Sequence, residues 1–523
     1  MPGVVGFVEI AVVLVLTGWL FHLVEPALRV SLSPTYAPYK WVKGKRGFGQ
    51  FFKVAYECVF ASEGLFRTSY EKVRKTANDV VIVPFPHIQS GFLILLPLDL
   101  IDEYVKQPEN VVSFKTFVAG AMHSKYVCFG ENILNNNIQT PIVLRELKSK
   151  LADKMPMMNE EMVGALEHYV GSRMDESGVM QINMWDMVTK LMSRSSNRIT
   201  SGYPLCRNQE YLDAMVQYSV QMFSTAVYIR FIPPFLRPLL APLVRRPLTK
   251  KREIIIKHAE PIIEERKKII ADAAEKGIEP ELPNDLLSAC MKVAIKDKNR
   301  QLEYSTPVLC NRVMNLNFLQ SYSNVLSFTN VLYDLVSLPK PVFESTVAEM
   351  RAEIVANLGR GDDWSNDFVN RLDTIDAFIR ESIRYNAIGE VGLERTIVKP
   401  GGFTFSTGVH VPQGAILAST LRVGQRDESL YPGGFNPERA LQDPAHPKMT
   451  DISREFLNFG LGRSACPGRW FTANLLKLAF SHLLLDYDFD HLEERPQGVR
   501  KVTLIEPCGT SLVTIRKRKV STG

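Results

Sequence analysis

The chain has 523 residues, 46% of them hydrophobic and 23% charged, which is the composition of an ordinary globular protein. Its net charge of +6 is modest, and no basic stripe carries interleaved aromatic residues, so nucleic acid is not expected as a partner. The seven cysteines form no C-x-x-C pair or disulfide framework, and the nine histidines show no zinc-binding spacing. The scattered cysteines are typical of a protein that faces the cytosol.

The N-terminus carries an apolar segment, residues 4–24, interrupted by Glu9 and His22. At about 1.5 Å per residue, a helix of this length just spans a hydrocarbon core of about 30 Å. Basic residues without acids follow between positions 29 and 46, and positive flanks stay cytoplasmic. We therefore expect residues 1–27 to form a single-pass anchor in the endoplasmic reticulum membrane, with the rest of the chain in the cytosol. A docking helix or a monotopic hairpin is the alternative.

The middle of the chain is predicted to be helical. Apolar spacing indicates helices over residues 160–174 and 249–276, the second ended by Gly277. The longest helix is predicted over residues 306–338, with Thr306 as its cap, Pro307 at its first position and Pro339 after its end. A helix of about 50 Å with this apolar content must cross the core. No linker or repeat interrupts residues 28–523, and we expect one domain there.

A polar stripe runs along this long helix. Gln320, Ser323, Asn324 and Ser327 recur at three- and four-residue spacing and therefore share one face. One interpretation is a hydrogen-bonded seam between two helices. The other is the polar side of a ligand pocket, where these groups bind substrate or hold water.

Two short motifs follow. Glu381 and Arg384 stand at i and i+3, so they share a helix face and can pair. Arg439 ends a P-E-R segment within a stretch rich in proline and glycine. Between the two motifs, short apolar runs and glycine turns over residues 395–420 predict strands.

Cys466 lies in a glycine-rich turn, directly before an apolar helical run over residues 470–485. Gly462 and Gly468 are expected to take positive φ and to let the backbone approach a flat macrocycle. Backbone N–H groups of the turn and of the following helix favour a thiolate. The arrangement predicts an axial ligand for haem iron, with Phe459 excluding water from the sulfur.

The segment from Phe459 to Gly468 resembles the F-x-x-G-x-x-x-C-x-G signature of the cytochrome P-450 family, and E-x-x-R and P-E-R precede it in the family's order. The resemblance implies a mainly α fold with small β-sheets, haem as cofactor and Cys466 as its ligand. It also implies O2 and a hydrophobic small molecule as substrates and an NADPH-dependent reductase as electron donor. Residues 203–208 further resemble filamentous-fungal members that oxidise terpenoids and alkaloids.

Carried over by the resemblance, Glu381, Arg384 and Arg439 form a buried ionic triad that supports the haem side of the fold. Arg395 and Arg145 are expected to bind haem propionates. Family members commonly have Arg or His two residues before the cysteine, where this chain has Ser464, and the neighbouring Arg463 is the expected substitute. Arg463, Arg469 and Lys477 are expected on a positive face that docks the reductase.

The long helix departs from the family's pattern. The acid position that helps to relay protons is occupied by Tyr322, and the alcohol position by Ser323, followed by Asn324. Ser323 and Asn324 are therefore the predicted relay. Because the acid is lost, desaturation, cyclisation or rearrangement without net oxygen insertion is an alternative reaction, and a non-catalytic haem-binding relative is another.

Substrate contacts are expected from three segments besides the long helix. Residues 386–393 should line the pocket, residues 502–515 should form a hairpin whose tip lies over the haem, and residues 111–127 should form a lid. The predicted pocket residues are Gln320, Ser327, Ile388, Val391 and Cys508.

Overall fold

A computed structural model describes residues 2–74, 80–128, 132–359 and 364–518, without the side chains of residues 2–16, 132, 134 and 319. The α-helices are, in chain order, α1 Pro2–Leu32, α2 Phe48–Phe60, α3 Ser62–Val73, α4 Ile101–Val105, α5 Phe114–Ala121, α6 Ser124–Val127, α7 Asn132–Asn135, α8 Gln139–Leu144, α9 Met155–Tyr169, α10 Met184–Thr200, α11 Gln209–Arg230, α12 Arg237–Val244, α13 Arg246–Lys276, α14 Leu286–Ala294, α15 Arg300–Glu303, α16 Thr306–Val336, α17 Lys340–Leu358, α18 Asn366–Asn370, α19 Asp373–Tyr385, α20 Arg439–Gln442 and α21 Arg469–Asp486.

The strands are short. They are β1 Lys40–Trp41, β2 Val81–Pro84, β3 Phe92–Leu95, β4 Val112–Ser113, β5 Val179–Asn183, β6 Val391–Ile397, β7 Phe403–Thr404, β8 His410–Val411, β9 Ile416–Thr420, β10 Tyr487–Phe489, β11 Val499–Lys501, β12 Leu504–Glu506 and β13 Leu512–Lys517. One sheet has the order β1-β2-β3-β9-β6-β4, and a second has the order β10-β13-β5. β7 pairs with β8, and β11 pairs with β12.

The predicted α-rich fold with small sheets is confirmed, and α16 is its central element. This helix packs against α10, α11, α13, α19 and α21, and its apolar residues belong to the main helical core. Two smaller cores cover opposite faces of the six-stranded sheet. A helix that is apolar on most sides is stable only where neighbouring helices surround it.

Some helix boundaries differ from the predicted ones, at positions where a proline or a local contact sets the end of the helix. α9 starts earlier than predicted because Pro156 fits its first turn, and it ends at Tyr169. α13 ends at Gly277, whose φ of +65° closes the helix as predicted. The predicted Thr306 cap is wrong: Thr306 is the first helical residue, and its hydroxyl donates to Glu264.

The predicted C-terminal hairpin over residues 502–515 is also wrong. β11 pairs with β12 and turns at Val502 and Thr503, whereas β13 pairs with β10 and β5. Pro507 to Ser511 therefore connect two sheets and are not a hairpin tip. Period-two patterning predicts strands but does not select their partners.

The predicted membrane anchor falls within α1, and the side chains of its first residues lie outside those described. Among the described residues, no helix combines the length and the apolarity needed to cross a bilayer.

Candidate functional site

The loop that carries Cys466 is held by its own backbone. The amide of Cys466 donates to the Phe459 carbonyl at 2.7 Å, and Gly460 donates to Leu457 at 2.8 Å. Gly460 and Gly462 have φ of +73° and +70°, in the left-handed region that favours glycine. The loop therefore folds back and brings Cys466 next to Phe459.

The two glycines expected at positive φ behave differently. A Cβ on Gly462 would stand 2.5 Å from the Val105 carbonyl oxygen, at the end of α4, so only glycine fits there. The prediction for Gly468 is wrong, since its φ is −92° and the space around it is open. Gly468 precedes the first residue of α21, where an ordinary backbone conformation starts the helix.

Cys466 lies at the N-terminus of α21. Burial raises the pKa of its thiol, whereas the amides of Gly468 and Arg469 and the Arg469 guanidinium act in the opposite direction. These donors are the groups that stabilise a sulfur anion at a helix N-terminus. A metal cation bound to the sulfur would favour the thiolate over the thiol, because a coordinating thiol is deprotonated outright.

Arg469 ties the loop to its surroundings, a role that its position after a glycine did not reveal. Its side chain donates to the carbonyls of Thr450 and Cys466, both at 2.9 Å, and lies 3.7 Å from the centre of the Trp470 ring. Arg469 is half-buried by these contacts. It therefore positions the cysteine more than it extends a charged surface.

Three other residues of the loop were singled out in the sequence. Phe459 is half-buried and meets Phe456 edge-on, with ring centres 6.1 Å apart. The exposed side chain of Arg463 donates to the Lys106 carbonyl at 3.1 Å, and Ser464 is half-buried. This hydrogen bond directs the Arg463 side chain toward the turn after α4.

Arg395 is a buried cation that forms no ion pair with the described residues. It is 4% exposed, donates to the Glu394 carbonyl at 2.7 Å and lies 4.6 Å from the centre of the Phe114 ring. No carboxylate of the described residues forms an ion pair with it, and burial lowers its pKa. A buried guanidinium in this state fits an anionic group such as a haem propionate.

Arg145, the other arginine predicted to bind a haem propionate, lies at the surface. It begins a π-helical turn after α8, is exposed, and forms an ion pair with Glu146 at 2.8 Å. Glu146 also pairs with the buried Lys154 at 3.2 Å. Arg145 thus has a carboxylate partner already, unlike Arg395.

The structure brings Glu381, Arg384 and Arg439 together. Arg384 binds both carboxylate oxygens of Glu381, at 2.6 and 2.7 Å, and both side chains are buried. Arg439 reaches Glu381 at 3.3 Å with a side chain that is 22% exposed. Arg384 and Arg439 also donate to the Gly434 carbonyl, at 2.7 and 2.9 Å. The cluster therefore fastens the P-E-R segment to α19.

The polar stripe of α16 divides between two neighbours. Gln320 donates to Thr200 of α10, which is the helix-to-helix hydrogen bond of the first interpretation. Asn324 accepts from Thr472 of α21 at 3.1 Å, while its Nδ2 is buried without a partner in the part of the chain that the structure describes. Ser323 and Ser327 are half-buried. Asn324 is thus the stripe residue tied to the helix that follows Cys466.

Tyr322 stands at the helix position where family members have an acid, and it makes a contact that the sequence did not reveal. The hydroxyl of Tyr322 donates to the carboxylate of Glu506 on β12, which also pairs with Lys501 at 2.6 Å. Burial and this hydrogen bond raise the pKa of Tyr322. An acid is therefore present beside α16, but it comes from 184 residues further along the chain.

The predicted pocket residues fall into two groups. Ile388 accepts from the Ile505 amide at 3.0 Å, so residues 386–393 do lie beside the β11–β12 hairpin. The carbonyl of Cys508 accepts from Tyr333 of α16 at 2.9 Å. Val391, by contrast, is buried in one of the cores of the six-stranded sheet.

Lys477 does not lie on the expected positive face. It is 4% exposed and pairs with Asp376 at 2.6 Å, so it is an internal ion pair of α21 and α19. The exposed cations around the loop are instead Arg463, Lys106 and Lys148, the last 4.3 Å from the centre of the Trp470 ring. Helical spacing alone did not tell the inner face of α21 from the outer one.

Comparisons with known proteins agree with this architecture. A sequence model described as Cytochrome P450 matches residues 89–510. Cytochrome P450 monooxygenase gloP of Glarea lozoyensis is 27% identical over 460 residues, or 83% of each chain. Cytochrome P450 monooxygenase 151 of Postia placenta is 26% identical over 499 residues, covering 93% of this chain and 94% of its own. The crystal structure of the cytochrome P450DA heme domain shares the fold, with a TM-score of 0.65, 16% identity, and coverage of 92% of this chain and 98% of its own.

The α-rich fold with a cysteine at the start of an apolar helix defines a class of haem-binding oxidoreductases. The chain belongs to the cytochrome P450 family, since the family model covers most of it, and its relatives are fungal monooxygenases. It is therefore an oxygen-incorporating oxidoreductase with haem iron as cofactor.

Proposed function

We propose that this chain is a membrane-anchored haem-thiolate monooxygenase that oxidises a hydrophobic small molecule, a fungal terpenoid or alkaloid intermediate. The observation that carries the proposal is Cys466, half-buried just before α21, where the amides of Gly468 and Arg469 oppose the effect of burial on the pKa of its thiol. Bound haem supplies the iron at which dioxygen is activated, and a cysteine ligand favours O–O cleavage. Relatives such as cytochrome P450 monooxygenase tenB of Beauveria bassiana, 25% identical over 493 residues, support the monooxygenase reaction.

Each predicted site residue would have a separate role. Cys466 holds the iron, Phe459 and Gly462 shape the loop around the sulfur, and Arg395 binds a propionate. Asn324 and Ser323 of α16 would hold or pass protons, and Asn324 is bonded to Thr472 of the helix that follows Cys466. Glu381, Arg384 and Arg439 keep the supporting segments in place.

The test of the ligand is the absorption spectrum of the reduced protein with and without carbon monoxide. A strongly red-shifted Soret band is expected for the wild type and for Cys508→Ser, and its loss is expected for Cys466→Ser. Cys508 is the matched control because it is the other cysteine that is not fully buried. A red-shifted band that survives Cys466→Ser would overturn the assignment.

Electrons are proposed to come from an NADPH-dependent reductase that docks where Arg463, Lys106 and Lys148 are exposed. Charge reversal of Lys148 and Arg463 should slow electron transfer, mainly through the association rate and more strongly at low salt. The exposed Lys276, remote in sequence from the loop, is the control position. Equal slowing by Lys276→Glu would show that net charge, and not this face, matters.

The reaction type is tested with labelled dioxygen. Net insertion predicts label in the product, whereas desaturation or cyclisation leaves the product unlabelled. The Tyr322–Glu506 contact, in place of an acid on the helix, is the observation that keeps the second outcome open.

The anchor is tested by extraction of membranes with alkaline carbonate. The full chain should stay with the membrane pellet, and residues 28–523 should be released at least in part. Release of the full chain would leave a docked helix as the correct description.

A further inference from the structure

A cavity of about 210 Å³ is lined mostly by the predicted lid segment, with residues of α5, α6 and α7 around it. Lys115, His123, Lys125, Tyr126 and Asn135 line it, and none of the described lining residues is acidic. The side chains of Lys115 and Lys125 are exposed and form no ion pair within the described part of the chain. The cavity is larger than the roughly 30 Å³ of liquid volume that one water takes.

His123 is the buried member of this lining. It is 7% exposed, and its Nε2 is buried without a hydrogen-bond partner among the described residues. Its φ of +45° lies in the left-handed region, which is uncommon for residues other than glycine. Burial and the charges of Arg237, Arg230 and His22 lower the pKa of His123 to about 3. A buried ring nitrogen without a partner is unfavourable unless a ligand satisfies it.

Arg230 and Arg237 are the cations whose charges act on His123. Arg230 is 5% exposed, donates to the Ile88 carbonyl at 2.7 Å and contacts the His22 ring at 2.9 Å. Burial lowers the pKa of Arg230 to about 10, and no described carboxylate forms an ion pair with it. Glu25, the acid nearest in α1, pairs with Arg29 at 3.3 Å. Glu25 compensates part of this charge, and the described residues that line the cavity add no carboxylate of their own.

An apolar surface adjoins this positive region. Arg245, which follows α12, donates to the Tyr126 carbonyl at 3.2 Å and so joins the cavity wall to that helix. α12 exposes Leu239 and Leu243 to solvent. The ring of Phe235, just before α12, packs against Gly18 of α1. The cavity thus neighbours exposed apolar residues and the helix proposed as the anchor.

We propose that this cavity binds a phosphate-type oxyanion, and that its occupant on a membrane is the headgroup of an anionic phospholipid. His123, Lys115 and Lys125 supply the donors, and the Arg230 region supplies the field. Free phosphate offers the same chemistry, but it would not use the exposed side chains of α12. The choice of a lipid rests on the proposed membrane attachment, whereas oxyanion binding does not.

The first experiment measures binding of the full chain to vesicles of phosphatidylcholine alone and with phosphatidylserine. Phosphatidylserine should strengthen binding of the wild type. Lys115→Gln with Lys125→Gln should remove about fivefold of that gain per lysine, since each surface cation near anionic lipid contributes on the order of a factor of five. Lys276→Gln with Lys292→Gln is the control, because both lysines are exposed and removed in sequence from the cavity. An equal loss in the control pair would overturn the site.

The second experiment follows the histidine ring nitrogens by NMR while inorganic phosphate is added. The His123 signal, identified by its absence in His123→Asn, should shift and saturate. Asn is the replacement because it tolerates positive φ better than most residues. Saturation together with a phosphatidylserine effect supports the lipid headgroup, and saturation alone supports free phosphate. No His123 shift and no phosphatidylserine effect would overturn the proposal, whether or not the chain binds neutral vesicles through its N-terminus.

Discussion

The cysteine loop and the facing segment of α16 are built in different ways. The loop is held by bonds between residues close in the chain, such as Cys466 to Phe459 and Arg469 to Cys466. The α16 residues 320–324 are held by partners far away in sequence: Thr200, Glu506 and Thr472. The loop can therefore be read from a short motif, whereas the chemistry beside α16 depends on how distant elements pack.

The largest expected effect is on the triad that supports the loop. Arg384→Ala leaves Glu381 buried without its bidentate partner, which should lower the free energy of unfolding by about 3–5 kcal/mol. Urea unfolding measures this loss, and the haem content of the purified variant should fall with it. Arg439→Ala is the matched control and should cost less, because its side chain is partly exposed and its contact is longer. Equal losses for both arginines would contradict the geometry.

The next effect separates the two loop glycines. Gly462→Ala combines a positive φ with a Cβ placed 2.5 Å from the Val105 carbonyl oxygen, so we expect a destabilisation of about 1–3 kcal/mol and weaker haem retention. Gly468→Ala has negative φ and open space, and its effect should stay within about 0.5 kcal/mol. Thermal unfolding of the two variants measures the difference. A harmful Gly468→Ala with a harmless Gly462→Ala would reverse the description of the loop.

A sharper test of α16 compares two tyrosines. Tyr322→Phe removes a hydrogen bond to the Glu506 carboxylate and should cost about 1.5–3 kcal/mol, while Tyr333→Phe removes a neutral bond to the Cys508 carbonyl and should cost about 0.5–1.5 kcal/mol. If the Glu506 contact also serves the reaction, Tyr322→Phe lowers product formed per NADPH consumed, and Tyr333→Phe does not. The same yield in both variants would make the contact purely structural.

The smallest expected effect concerns the link between the two regions. Thr472→Val removes the hydroxyl that donates to Asn324 and should cost about 1 kcal/mol. Thr68→Val on α3 is a control, since its hydroxyl bonds only within its own helix. Stability of the two variants would be compared by denaturant midpoint at equal slope. A loss no greater than that of the control would mean that this bond does not couple α16 to α21.

The sequence determined the parts of this protein that rest on local chemistry. It placed the helices α13, α16 and α21, the strand-rich section and the cysteine motif, because periodicity, proline, glycine and cap residues act over a few neighbours. It also named the family from three short motifs. The positive φ expected of Gly468 failed even so, because a glycine can precede a helix without using its freedom.

Only the tertiary structure decided which side chains meet. It buried Lys477 against Asp376, gave Arg145 a carboxylate while leaving Arg395 without one, and split the C-terminal strands between two sheets. It brought Glu506 to Tyr322 and gathered His22, His123 and Arg230 from three separate segments. Burial and pairing depend mostly on contacts between residues far apart in the chain, such as Asp376 with Lys477 and Tyr322 with Glu506, and no local pattern in one sequence records those contacts.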